Sequence, residues 1–174
     1  MRVIAGEFRS RKLLSVEGMD VRPTPDRLRE ALFNILQTRL QGAVFADAYA
    51  GTGAVGLEAL SRGAKRVLFI ERGKEALRTI FENIKALEVQ GRTAIIKRKA
   101  SDTLRKIEAD IVFIDPPFTV PKEFDASLQA VAESAVPFVI VQHPPRHILL
   151  DEYGSLRRSR IVKQGDNWLS FYDR

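Results

Sequence analysis

Apolar positions recur along this chain in two rhythms, and the change of rhythm divides it. Leu28, Ala31, Leu32, Ile35 and Leu36 return at three- and four-residue spacing, which predicts a helix over about 25–39 with one buried stripe. Thr24 suits the cap of that helix and Pro25 its first position. Ahead of it, Val3-Ile4-Ala5 and Lys12-Leu13-Leu14 flank a turn-prone stretch from Gly6 to Arg11, which predicts a hairpin. From residue 43 the pattern becomes short apolar runs alternating with helical stretches. Residues 43–46, 67–70, 94–96, 111–114 and 138–141 read as strands, and 55–61 and 74–87 as helices. Runs so free of polar residues belong to strands buried on both faces of a parallel sheet. Their alternation with helices predicts a doubly wound α/β domain. Residues 156–162 and 168–172 are separated by Lys163-Gln164-Gly165-Asp166-Asn167 and predict an antiparallel hairpin. The expected architecture is a mostly parallel, seven-stranded Rossmann-like sheet. It ends in that hairpin and carries a small hairpin-and-helix extension over 1–40, with the main domain over 41–174.

Composition narrows the class. The 174 residues include no Cys, which excludes a disulfide framework, a Cys metal site and a Cys nucleophile. No apolar run reaches the roughly 18–20 residues of a membrane span. The start, Met1-Arg2-Val3-Ile4, leads into charge rather than an apolar core, so no signal peptide and a cytoplasmic location are expected. Lys and Arg number 28 against 22 Asp and Glu, a net charge of +6, which permits a polyanionic partner. The cations cluster. Arg2, Arg9, Arg11 and Lys12 stand against Glu7. Arg92, Lys97, Arg98, Lys99, Arg105 and Lys106 stand against Asp102. Arg157, Arg158, Arg160 and Lys163 have no acid among them.

Asp47-Ala48-Tyr49-Ala50-Gly51-Thr52-Gly53-Ala54-Val55-Gly56 follows a strand and opens a helix. Gly51 and Gly53 leave the backbone open to a ligand, and Gly56 lets helix and strand pack closely. The spacing matches a dinucleotide fingerprint, and two acids sharpen it. Asp47 ends the first strand and Glu71 the second. A carboxylate at Glu71 can accept both ribose hydroxyls of an adenosine and repels a 2′-phosphate.

Asp115-Pro116-Pro117-Phe118 directly follows the fourth strand, on the rim where open α/β sheets bind ligands. The prolines stiffen the loop. They hold the Asp115 carboxylate and the Pro116 carbonyl as acceptors, and Phe118 adds an aromatic face. Two acceptors and a ring suit a planar group with an exocyclic amine, such as a nucleobase. Acceptors that pull on its N–H groups restore electron density to a poor nucleophile and fix its orientation. A base reaches such a pocket only flipped out or unpaired.

In this order, the Gly-rich turn, the strand-end acid and Asp-Pro-Pro-Phe resemble class I S-adenosylmethionine-dependent amino methyltransferases. Met1 to Gly6, Arg11-Lys12-Leu13 and Arg22-Pro23-Thr24-Pro25-Asp26-Arg27-Leu28-Arg29-Glu30-Ala31-Leu32-Phe33-Asn34 resemble the N-terminal signature of RsmD-type bacterial 16S rRNA guanine-N2 methyltransferases. The resemblance implies S-adenosylmethionine as cofactor and no metal. It implies that Gly51, Gly53 and Asp47 meet the amino-acid part of the cofactor and Glu71 its ribose. Tyr49, Arg72, Ala100 and Asp102 complete the expected cofactor contacts. Asp115, Pro116, Pro117 and Phe118 would receive the guanine. Arg2, Arg9, Arg11, Lys12, Arg22, Thr24, Arg27 and Arg29 would grip rRNA of the small ribosomal subunit or its assembly intermediate. A monomer is expected.

The chain departs from the pattern in two places. Lys99 stands before Ala100, where related enzymes often carry Asp or Asn toward the adenine amine, so either Asp102 substitutes or backbone and apolar contacts hold the ring. The fifth strand ends Gln142-His143-Pro144-Pro145, where an acid is expected. His143 and His147 have no partner motif and read as loop residues, and Trp168 reads as core. The residues alone leave other targets open: DNA adenine or cytosine, another RNA, or a protein glutamine. A nicotinamide-dependent oxidoreductase has no need of Asp-Pro-Pro-Phe, and a non-catalytic RNA binder has no need of a complete motif set.

Overall fold

The computed structural model describes residues 1–15 and 24–174. One eight-stranded sheet runs through the described residues. Its strands are β1 (Val44–Ala48), β2 (Arg66–Ile70), β3 (Thr93–Ile96), β4 (Ile111–Ile114), β5 (Phe138–His143), β6 (Glu152–Tyr153), β7 (Leu156–Gln164) and β8 (Asn167–Asp173). Their spatial order is β3-β2-β1-β4-β5-β8-β7-β6. The first five run parallel, and β8, β7 and β6 follow antiparallel. All seven expected strands are present. The eighth, β6, is two residues long, too short to carry an apolar pattern.

Side chains alternate between the faces of the central strands, as strand geometry requires. Phe45, Phe69, Phe113 and Ile140 pack on one face with α1 (Asp26–Leu40), α2 (Ala54–Ser61) and α3 (Lys74–Ala86). Ala46, Ile70, Val112, Ile114 and Val141 pack on the other with α4 (Ala100–Leu104) and α5 (Lys122–Ala132). Helices on both faces explain why the strands are so uniformly apolar. The order turns about β1: the chain winds outward through β2 and β3, then crosses back to place β4 on the other side. The carboxyl ends of β1 and β4 therefore form a switch point, where such sheets leave a crevice.

Four local expectations change. The N-terminal hairpin reduces to one antiparallel bridge, Arg2 to Lys12, with Val3 donating to the Arg11 carbonyl at 3.0 Å. Thr24 does not cap α1: Pro25 precedes the helix without a side-chain cap bond, and the Thr24 hydroxyl donates instead to Gln142 Oε1 at 3.3 Å. His143 is the last residue of β5 rather than a loop residue, buried with Nε2 at 2.9 Å from Ser170 Oγ. Trp168, expected in the core, is half-buried on β8, edge-on to His143 with Lys163 over its ring.

Candidate active site

The turn from β1 into α2 bends through left-handed backbone at Tyr49 (φ 64°), Gly51 (φ 57°) and Gly53 (φ 77°). Glycine adopts that region without steric cost. Gly56 is set by packing: a Cβ there would lie 2.4 Å from the Phe69 ring and 2.8 Å from Val67. Asp47, buried at the end of β1, accepts from the Gly56 N–H at 2.8 Å. At the end of β2, Glu71 accepts from Gly51 N–H at 3.0 Å, and from Arg72 and Gly73 N–H at 2.7 Å each. That carboxylate therefore holds the turn in shape while facing the crevice.

A cavity of about 640 Å³ opens at the switch point, within the usual size range of small-molecule sites. Asp47, Tyr49, Gly51, Glu71, Arg72, Ala100 and Thr24 line it together with Asp115, Pro116, Pro117 and Phe118. Two motifs separated by nearly sixty residues of sequence thus share one wall. Burial pushes the Asp115 carboxyl up to about 7, with the nearby Thr24 hydroxyl working the other way. Burial likewise raises Asp47 well above the usual carboxylate range, and Asp115 and Glu71 nearby raise it further. Among the described residues neither Asp47 nor Asp115 has a cationic partner within 4.0 Å.

The opposite wall is polar. The Tyr49 hydroxyl meets Glu123 Oε2 and Ser127 Oγ, each at 2.8 Å, and Lys99 Nζ lies 3.4 Å from Glu123 Oε1. Tyr49 thus joins β1 to α5. Exposed Arg72, Arg98 and Arg146 stand at the mouth, a rim suited to a phosphate backbone. Two expected contacts do not meet the cavity directly. Gly53 is buried behind it. Asp102 sits exposed on α4, whose Ala100, Ser101 and Leu104 turn inward instead, and it is not among the residues that line the cavity. Sequence reasoning also passed over Gln142 and Asn167 as contributors to this wall; both are buried and line the cavity.

Of the basic residues expected at RNA, Arg2, Arg9, Arg11, Lys12 and Arg27 are exposed. Arg11 is held in place by donating to the Ala86 carbonyl at 2.7 Å. Arg22 lies outside the described residues. Arg29 cannot touch RNA: it is fully buried. It pairs with Asp26 at 2.9 Å, lies 3.9 Å from Glu58, and donates to the Arg2 carbonyl at 2.8 Å. Glu58, itself buried in α2, accepts from Ile4 N–H at 2.7 Å, Ala5 N–H at 3.0 Å and Arg62 Nε at 2.6 Å. Ser61 accepts from Phe8 N–H at 2.9 Å, and Asn83 accepts from Leu14 N–H at 2.7 Å while donating to Thr52 O at 3.0 Å. The basic segment is therefore clipped to the sheet domain beside the Gly-rich turn.

This arrangement has known counterparts. The sequence profile described as "Conserved hypothetical protein 95" matches residues 1–173. The chain belongs to this family, the RsmD family. YlbH of Bacillus subtilis is 31% identical over 181 residues, covering 99% of this chain and 98% of its own. The Ribosomal RNA small subunit methyltransferase D of Haemophilus influenzae is 36% identical over 137 residues, 76% of this chain and 69% of its own. Among solved structures, yhhF of Escherichia coli superposes with a TM-score of 0.89 at 28% identity, over 100% of this chain and 97% of its own. The RsmD family thus shares the whole sheet and its N-terminal segment with this chain.

Proposed function

We propose that this chain transfers a methyl group from S-adenosylmethionine to the exocyclic N2 of one guanine in 16S rRNA, within the small ribosomal subunit or its assembly intermediate. The observation that carries the reading is the shared wall: the Gly-rich turn and Asp-Pro-Pro-Phe open into one cavity whose Asp47 and Asp115 carboxylates have no cationic partner among the described residues. Such a cavity fits a cationic cofactor. Its size accommodates a nucleoside beside a base, and a positive ligand offsets the cost of burying Asp47 and Asp115 as anions. The residues that would hold it are Glu71 at the ribose hydroxyls, the Gly51 backbone, and Asp47 toward its amino-acid end. When bound, the cofactor supplies an electrophilic methyl on a sulfonium that departs as a neutral thioether.

The chain's own residues then act on the base. The Asp115 carboxylate and the Pro116 carbonyl accept from the amine N–H groups and raise the electron density on N2. Phe118, partly exposed at the lip, stacks on the ring and fixes its plane. A carboxyl pushed up to about 7 is matched to hold the proton that N2 sheds. Clipping through Glu58, Ser61 and Asn83 presents Arg2, Arg9 and Lys12 to phosphates beside the site, which adds affinity without sequence choice.

The test is methyl transfer from labelled cofactor to small subunits lacking the modification, with the modified nucleoside identified by mass spectrometry. N2-methylguanosine at one site is the expected result. Unlabelled rRNA with cofactor still bound moves the target to DNA, another RNA or protein.

A further inference from the structure

Three polar side chains line up beside the reacting group on one face of the sheet. Ile114 of β4 pairs with Val141 of β5, so the next step of the register sets Asp115 beside Gln142. Gln142 pairs with Leu169 of β8, which makes Asn167, two residues earlier, its diagonal neighbour on the same face. The alternation of the apolar residues agrees: Phe113, Ile140 and Leu169 all belong to the cluster on the α1 side. Gln142 and Asn167 are 3% and 4% exposed, and both line the cavity. Two buried amides at the ends of neighbouring strands need partners. Those among the described residues are loose: Thr24 Oγ1 lies 3.3 Å from Gln142 Oε1, and Gln142 Nε2 lies 3.5 Å from Asn167 Oδ1.

We propose that Gln142 and Asn167 select the base, their amides forming a wall of donor and acceptor beside Asp115 that fits the N1–H and O6 edge of guanine. The inference rests on the reading of the cavity as a guanine-N2 site and adds what recognises the guanine. With the 2-amino group at Asp115, the next two positions along a guanine edge are a donor, N1–H, and an acceptor, O6. An amide offers the complementary pair, C=O and N–H, in one plane. Adenine or cytosine presented by its own amine places a bare ring nitrogen acceptor next to that amine, and the amide oxygen at that point repels it. Long existing contacts cost little to exchange for shorter ones to a base. A carboxylate at position 142 offers only acceptors and loses the O6 contact.

The decisive comparison uses reconstituted small subunits carrying either guanine or 2,6-diaminopurine at the methylated position. The analogue keeps the reacting 2-amino group but replaces N1–H with an acceptor and O6 with a donor. The wild-type enzyme is expected to prefer guanine by about 10- to 100-fold in kcat/KM, the scale of one good bidentate contact. Gln142→Leu should slow transfer to guanine and bring the ratio close to one. Gln142→Glu should shift it toward the analogue, and Asn167→Ala should narrow it. Cofactor affinity within a few-fold of wild type separates loss of selection from loss of folding, and Gln142→Glu carries the test where Gln142→Leu misfolds. A wild-type enzyme without preference, or variants that bind cofactor and keep the full preference, overturn the assignment while leaving a guanine-N2 enzyme in place. A wild-type enzyme that methylates neither substrate overturns that reading, and this one with it.

Discussion

On the two sides of helix α2 the chain buries acids under opposite terms. Glu58 lies in the helix body with two backbone N–H donors, an Arg62 contact at 2.6 Å and the buried Arg29 close by. Asp47, at the end of β1 just before the helix, accepts from the Gly56 N–H alone among the described residues, and its neighbours are two further acids, Asp115 and Glu71. The first cluster pairs its acid with cations and backbone donors, although Arg29 Nε and Nη1 find no hydrogen bond among the described residues, and its effect is to fasten residues 4 and 5 to the sheet domain. Among the described residues, the second is left with excess negative charge inside a cavity. A buried charge without compensation is costly, and such sites collect where a ligand is to bind. The contrast separates a structural acid from functional ones.

Breaking the paired cluster should have the largest effect. Glu58→Ala strands two N–H groups in the interior and leaves buried Arg29 with Asp26 as its remaining acid among the described residues, and should destabilise the fold by about 3–5 kcal/mol, read by chemical denaturation. Glu58→Gln keeps an acceptor for one N–H and should cost less. In the open cluster the loss should appear in chemistry instead. Asp115→Ala should reduce methyl transfer by about 100- to 1,000-fold, the scale of one well-placed polar contact in a transition state, with cofactor affinity nearly unchanged. Near-normal turnover in that variant removes Asp115 from the mechanism.

The same contrast explains what could be read beforehand. Unbroken apolar runs, the glycine spacing and Asp-Pro-Pro-Phe are local patterns, so strands, the turn and the cavity-lining motif were readable. Arg29 was misassigned to RNA because its charge outweighed its spacing. It stands three, four and seven residues before Leu32, Phe33 and Leu36, on the buried stripe. Glu58 left a fainter mark, a lone charge in a helix whose eight residues are all buried. Asp102 depended on which way a five-residue helix faces, too short a segment for periodicity to decide. Gln142 and Asn167 meet only through the pairing of β5 with β8, which no local pattern reports.

Titration should sharpen the comparison further. Asp47 and Asp115 bind protons more tightly in the folded chain than in the unfolded one. Between about pH 4 and 7 the native state therefore holds more protons, so stability falls as pH rises through that window. The slope is at most about 1.4 kcal/mol per pH unit for each group. Asp115→Asn should flatten the Tm-against-pH curve there. Activity should run the opposite way, since only the charged carboxylate can accept an amine N–H and take up the proton that N2 sheds: kcat/KM should rise through about pH 7 in the free enzyme. A profile flat across pH 6–8 counts against Asp115 as the acceptor.

The smallest expected effect lies on the fastened segment itself. If Glu58 serves to present cations, Arg9 and Lys12 are the exposed ones to remove, because Arg11 also holds the Ala86 carbonyl. Each phosphate contact releases a counterion, so RNA affinity falls with salt by a slope of about one per contact. The Arg9→Ala, Lys12→Ala enzyme should lose about two from the slope of log affinity against log salt, with thermal stability unchanged and turnover at saturating substrate close to wild type. An unaltered slope disconnects this face from RNA. The clip through Glu58, Ser61 and Asn83 would then serve only to cover α2 and brace Thr52 of the Gly-rich turn.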